Sequence, residues 1–156
     1  MLLAHRYLLV GEMPSFPVPP KTNQNFRVRT IAAEIRHDVT AFRDCHQRFQ
    51  ECLEYRNPQN NSSLSELTEN YLLDFELAAK RALSSNVNRY RLFQLRYLQG
   101  ANRQDCCKLL GLQLFCYASE IIQIERVVGR ALVERGLFPL TSYFNPAELK
   151  LHRIAA

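Results

Sequence analysis

Apolar residues from Val28 onward recur in steps of three and four, at Val28, Ile31, Ile35, Phe42, Cys45, Phe49 and Cys52, with Asp38 in the one slot that breaks the series. That period predicts one face of a long helix ending near Arg56. Asn57-Pro58-Gln59-Asn60-Asn61 then interrupts it with turn formers. A second helix starts after the break. Ser63 and Glu66 stand at capping-box spacing, and Leu64, Leu67, Tyr71, Phe75, Ala78 and Ala82 follow at helical intervals. Two long helices joined by a short polar loop pack as an antiparallel hairpin.

Ser84-Ser85-Asn86 closes the second helix. Leu92, Phe93, Leu95 and Leu98 predict a third, which Gly100 can end in a left-handed cap. Asn102 can cap the next helix, running from Arg103 to Leu110 and stopping at Gly111. A last periodic stretch, with Tyr117, Ile121, Ile124, Val128 and Leu132 in register, reaches Arg135-Gly136. The fold class expected is therefore all-α, a helical hairpin followed by a helix-turn-helix bundle. Four stretches follow: an extended segment over 1–25, the hairpin over 26–84, the bundle over 85–145 and a tail over 146–156, expected to fray from Leu149 to Ala156. Prolines 14, 17, 19 and 20 and the polar run Lys21 to Asn25 set the first boundary, because proline disfavours helix. The apolar start from Met1 to Val10 reads as a strand or short helix packed on the body, or as a loose end.

Helix, short glycine-bearing turn, helix is the outline of a unit that lays its second helix in the major groove of DNA and its first across the phosphates. The two helices approach closely only if a small residue stands four before the turn glycine, and Cys107 does. Cys106, Leu110 and Leu112 supply apolar contacts, and Gly111 the positive φ of the turn. The stretch Tyr90-Arg91-Leu92-Phe93-Gln94-Leu95-Arg96-Tyr97-Leu98-Gln99-Gly100, followed by Asp105-Cys106-Cys107-Lys108-Leu109-Leu110-Gly111-Leu112, resembles the fourth region of bacterial sigma factors and the related helix-turn-helix regulators of phages. In that family a helix of the type F-x-L-R-Y-L-x-G precedes the motif, and a small-x-x-Leu-Gly-apolar step leads into the reading helix. The resemblance covers about a third of the chain. It implies promoter or operator DNA as ligand and, for some relatives, contact with RNA polymerase.

The chain also departs from the family. Where a Ser or Thr cap and then polar and basic residues are usual, it reads Gln113-Leu114-Phe115-Cys116-Tyr117-Ala118-Ser119-Glu120. Glu120 takes the position expected to be apolar, with Ile121 beside it, which suggests a turn one residue longer than the standard one.

Charge changes the picture modestly. The formal net charge is +5; Met1 to Leu83 carries ten Lys/Arg against ten Asp/Glu, and Ser84 to Ala156 ten against five, so the whole excess lies in the C-terminal half. That is the placement expected of a phosphate-binding surface. Arg103 and Gln104, opening the first helix of the motif, and Lys108 further along it are candidates for gripping phosphates. Gln113, Ser119 and Gln123 are the polar side chains able to reach base edges, and Arg126 and Arg130 are placed to hold backbone. The partner implied is double-stranded DNA, with self-association through residues 28–84.

At 47% hydrophobic and 22% charged, the 156-residue chain is neither a disordered nor a fibrous composition. Five cysteines, two of them the neighbours Cys106-Cys107, do not suit a secreted disulfide framework, and a reducing cytoplasm fits better. His5 and Arg6 interrupt the apolar start, which is too short to span a bilayer. Cys45, His46 and Cys52 continue an apolar stripe without a second ligand pair, so packing is expected there rather than metal, and Cys116 reads as a filler. No glycine-rich phosphate loop, nucleophile elbow or His-Glu-x-x-His helix occurs, which argues against an enzyme and against a cofactor. The large apolar groups of Leu137 to Phe144 are expected to fold back and close the core.

A second reading is a helical adaptor or assembly protein, such as a packaging component or a partner of a regulator. Leu114, Phe115 and Tyr117 separate the two. Burial of all three, with Arg103, Gln104 and Arg126 on one exposed face, favours DNA.

Overall fold

One uninterrupted helix, α1 (Thr22–Tyr55), carries the first half of the fold. The structure is a computed structural model that describes residues 22–56 and 65–154. α2 (Ser65–Ala82), α3 (Val87–Phe93), α4 (Arg103–Leu110), α5 (Leu114–Glu134), α6 (Leu140–Tyr143) and α7 (Pro146–Ile154) follow, with a π-helical turn over Gln94–Leu98. The chain is all-α, with no strand among the described residues. No helix among them is long and apolar enough to cross a membrane. The apolar start, the proline segment, the Asn57 to Asn61 break and the Ser63 cap lie outside the described residues.

α1 begins within the polar run that the sequence reading gave to the connector; those residues lack proline, and Thr and Asn lower helix stability by at most about 0.7 kcal/mol each. Its apolar stripe is used unequally. Phe42, Cys45, Phe49 and Cys52 are buried, whereas Val28 and Ile31 remain exposed. α2 answers with Tyr71, Phe75, Ala78 and Ala79, and the two helices pack together. α5 lies against both, contributing Ile124, Val128 and Leu132 to a core that also takes in Leu92 and Phe93 of α3. The helices approach closely at Gly129, where an added methyl would overlap the Asp38 carbonyl of α1. The absence of a side chain is what lets these backbones meet.

Aromatic rings fill the centre. Phe49 and Phe75 stack at 4.6 Å between centroids and Phe42 meets Tyr97 edge-on at 4.8 Å, each such pair adding about 0.5–1.5 kcal/mol beyond its buried area. The Tyr71 hydroxyl donates to the Cys45 carbonyl at 3.1 Å, so its burial leaves no unmet donor. Burial pushes the Cys45 and Cys52 thiols up to about 11, and they pack as small apolar groups.

Leu137 and Phe144 are buried and close the core as expected. The tail goes further than the fraying segment anticipated. Asn145 and Glu148 form a reciprocal capping box, Glu148 N–H donating to Asn145 Oδ1 at 2.9 Å and Asn145 N–H to Glu148 Oε2 at 2.7 Å, and α7 grows from it. Arg48, buried in α1, donates to the Glu148 carbonyl at 3.3 Å while its guanidinium lies 4.3 Å over the Phe144 ring.

Candidate nucleic-acid interface

Asn86 caps α3 by accepting from Arg89 N–H at 3.0 Å. The helix does not run on in α form to Leu98 as its periodicity suggested. It widens into a π turn, closed by Gln99 N–H on the Gln94 carbonyl at 2.9 Å. The wider turn sets Tyr97 between α1 and α5. Its hydroxyl donates to Glu125 Oε1 at 3.0 Å, its carbonyl accepts from His46 Nε2 at 3.1 Å, and Arg43 completes the group by pairing with Glu125 at 3.1 Å. Glu125, buried in α5, thus has two donors. Burial is the main cause that lowers His46 below its ordinary value of 6.5, opposed by its bond to Tyr97 and aided by Arg96.

Gly100 takes φ 71° and leads to Asn102, which accepts from Asp105 N–H at 2.9 Å and starts α4. Cys106 is buried and Cys107, Leu110 and Leu112 are half-buried against the core. Gly111, at φ 62°, ends α4 with its N–H on the Cys107 carbonyl. α5 begins at Leu114, so the turn is Gly111–Gln113, three residues, and the longer turn inferred from Glu120 is not present. Glu120 keeps its half-buried place by another means. Arg89 grips its carboxylate with Nε at 2.6 Å and Nη2 at 3.2 Å. Those hydrogen bonds raise the Arg89 guanidinium above its ordinary value.

The candidate residues fall into two groups and one outlier. Arg103, Gln104 and Lys108 are all exposed on α4. Ser119, Gln123, Arg126 and Arg130 follow at steps of four, three and four along α5 and so share one side of it, opposite the buried Ile124, Val128 and Leu132. Exposure along that side is uneven: Ser119 and Arg130 are open and Gln123 is half-buried. Arg126 is half-buried with Nε enclosed and without a hydrogen-bond partner among the described residues. Arg130 lies 3.7 Å from Glu134, a loose exposed pair. Gln113 is the outlier, an extended residue at the start of α5 whose side chain makes no cap hydrogen bond.

Apolar groups are exposed on the same two helices. Tyr117 is buried, but Leu114 is 56% exposed, Phe115 73%, Ile122 52% and Leu109 of α4 67%. Only one of the three residues that separate the two readings is covered, so that criterion for DNA is not met in full. Sequence reasoning also passed over Arg91 and Arg96, both exposed; Arg96 donates to the Ala101 carbonyl at 3.1 Å beside the start of α4. Their signal was present in the basic run Arg89-Tyr90-Arg91, but which cations stay free depends on pairing across helices. Within 84–136 there are eight Lys/Arg and four Asp/Glu, and two of those four acids, Glu120 and Glu125, are taken up by Arg89 and Arg43. Comparison of the chain with protein-family models, with curated proteins and with solved structures finds no match.

Proposed function

We propose that the chain binds duplex DNA through α4, the Gly111–Gln113 turn and the first half of α5, in the manner of a bacterial or phage transcription regulator. The observation that carries this reading is the pairing of a capped helix, a left-handed glycine and a three-residue turn with cations left open on the same unit: Arg91, Arg96, Arg103 and Lys108. In this reading Arg103, Gln104 and Lys108 hold phosphates, Ser119 and Gln123 face base edges, and Arg130 holds the backbone beyond them. Leu114 and Phe115 would meet thymine methyls, a contact that apolar side chains make in the major groove. Selection of duplexes from a random pool tests it. Wild type should enrich a defined site, and Gln123→Ala should lose about 1–3 kcal/mol on that site and little on random sequence. Equal retention of all sequences by both proteins would remove the base-reading role.

The four exposed apolar residues Leu109, Leu114, Phe115 and Ile122 favour a second reading, a helical adaptor that docks α4 and α5 on another protein. Phe115→Ala separates the two. Weaker DNA binding supports the first reading, and unchanged DNA binding with lost association to a co-purifying protein supports the second.

A further inference from the structure

The apolar stripe of α1 is a regular heptad: Val28, Ile31, Ile35, Asp38, Phe42, Cys45, Phe49 and Cys52 alternate as a and d positions. Its second half is the core seam against α2 and α5. Its first half runs on past the end of α5, which last meets α1 at a groove of about 490 Å³ lined by Ala33, Glu34, His37, Arg130 and Val133. Beyond it Val28 is 65% and Ile31 54% exposed, and neither packs against the core cluster. Thr22–Ile35 is about 21 Å of helix at 1.5 Å per residue.

The charges beside the stripe indicate what covers it. With Val28 at position a, Arg27 and Glu34 occupy successive g positions, Ala32 and Val39 the e positions, and Arg29 and Arg36 point away at b. Parallel pairing of two such helices sets g against e, Arg27 beside Ala32 and Glu34 beside Val39, and makes no ion pair. Antiparallel pairing sets g against g. In the register that packs Val28 on Ile31 of a second copy, Arg27 faces that copy's Glu34, and two-fold symmetry repeats the pair. Arg27 and Glu34 make no ion pair among the described residues of their own chain.

We propose that the N-terminal half of α1 is a dimerisation surface on which a second copy of the chain packs its own α1 antiparallel, with Val28 and Ile31 as the apolar layers and Arg27–Glu34 pairs as the orienting contacts. The surface is separate from α4 and the start of α5 and does not depend on the DNA reading. A contact of this length belongs to the small class of interface, below about 1,200 Å², so the dimer is a reversible, concentration-dependent one.

Sedimentation equilibrium of the full chain over a wide concentration range tests it. Wild type should fit a monomer–dimer equilibrium. Ile31→Asp should weaken the dimer about tenfold or more while matching the helical signal and melting temperature of wild type at concentrations where both are monomeric, since Ile31 lies outside the core. Glu34→Arg should also weaken it, and the swap Arg27→Glu with Glu34→Arg should restore it, which only pairing between these two positions explains. A chain that is monomeric throughout, a dimer indifferent to Ile31→Asp, or a charge swap that fails to restore would each overturn the proposal.

Discussion

Replacing Gly129 by alanine sets two effects of known sign against each other. In an isolated helix the change is favourable by about 1 kcal/mol, because glycine is the poorer helix former. Here the new methyl group would overlap the Asp38 carbonyl oxygen, stand 2.7 Å from its carbon and press on Phe42 Cβ at 3.3 Å. Ordinary contact begins near 3.4 Å, and the obstructing atoms are backbone, so α1 and α5 must move apart by roughly 1 Å. Overpacking of a tight core costs typically 1–3 kcal/mol, and a backbone clash belongs at the upper end. About 3 kcal/mol of strain less about 1 kcal/mol of helix propensity leaves a net loss near 2 kcal/mol. For a chain of this size that corresponds to a melting temperature lower by about 4–8 °C. Urea denaturation followed by circular dichroism measures it, with Ser119→Ala, at an exposed position of the same helix, as a control expected to stay within about 0.5 kcal/mol. A Gly129→Ala protein as stable as wild type, or more so, would refute the close crossing of α1 and α5 and with it the support beneath the candidate interface.

Arg89→Leu and Glu120→Leu should each destabilise by about 1 kcal/mol by leaving a half-buried charge without its partner, while the double variant recovers most of the loss; a double-mutant cycle with no coupling would show that the pair is not formed. Cys107→Phe should cost about 1–3 kcal/mol and weaken DNA binding, because a large ring cannot fit where α4 turns into α5, and intact stability and binding would deny that contact. His46 has its folded pKa below the unfolded value of 6.5, so stability is full above that value and is lost as pH falls through it, by at most about 1.4 kcal/mol per pH unit from this group. His46→Gln should flatten that fall below pH 6.5 in denaturant titrations, and a wild-type His46 titrating above 6.5 by NMR would reverse the sign.

Features set by local chemistry were readable from the residues. Asn102 and Gly111 bound α4 as their capping and left-handed preferences suggest, and the apolar periods of α2 and α5 pick out Tyr71, Phe75, Ala78, Tyr117, Ile124, Val128 and Leu132, all buried, while Leu67, Ala82 and Ile121 of the same series are half-buried. What escaped notice depends on contacts between distant positions. Nothing local distinguishes Val28 and Ile31 from Phe42 and Phe49 in the same stripe; only the length of α5 decides which part is covered. Glu120 suggested a longer turn because its partner, Arg89, is 31 residues away. Gly129 carried a readable signal, a lone glycine inside a helical pattern, and so did Asn145 with Glu148 at capping-box spacing. The π turn at Gln94–Leu98 had none, since it is stabilised by what Tyr97 reaches in α1 and α5. Of the candidate interface, the positions on α4 and α5 were legible, as was the apolar start of α5 at Leu114 and Phe115, but the exposure of Leu109 and Ile122 was not, because exposure is a property of the assembled helices.

The central claim, that the open cations of this unit grip duplex DNA, is tested most directly by the salt dependence of binding. Fluorescence anisotropy of a labelled duplex, titrated with wild type and with Arg103→Ala at several salt concentrations, gives the slope of log affinity against log salt. Each phosphate neutralised contributes about 0.9 to that slope. Wild-type affinity should fall steeply as salt rises, and Arg103→Ala should bind every duplex more weakly with a slope smaller by about one. Absent binding at low salt, or a wild-type affinity indifferent to salt, would contradict it.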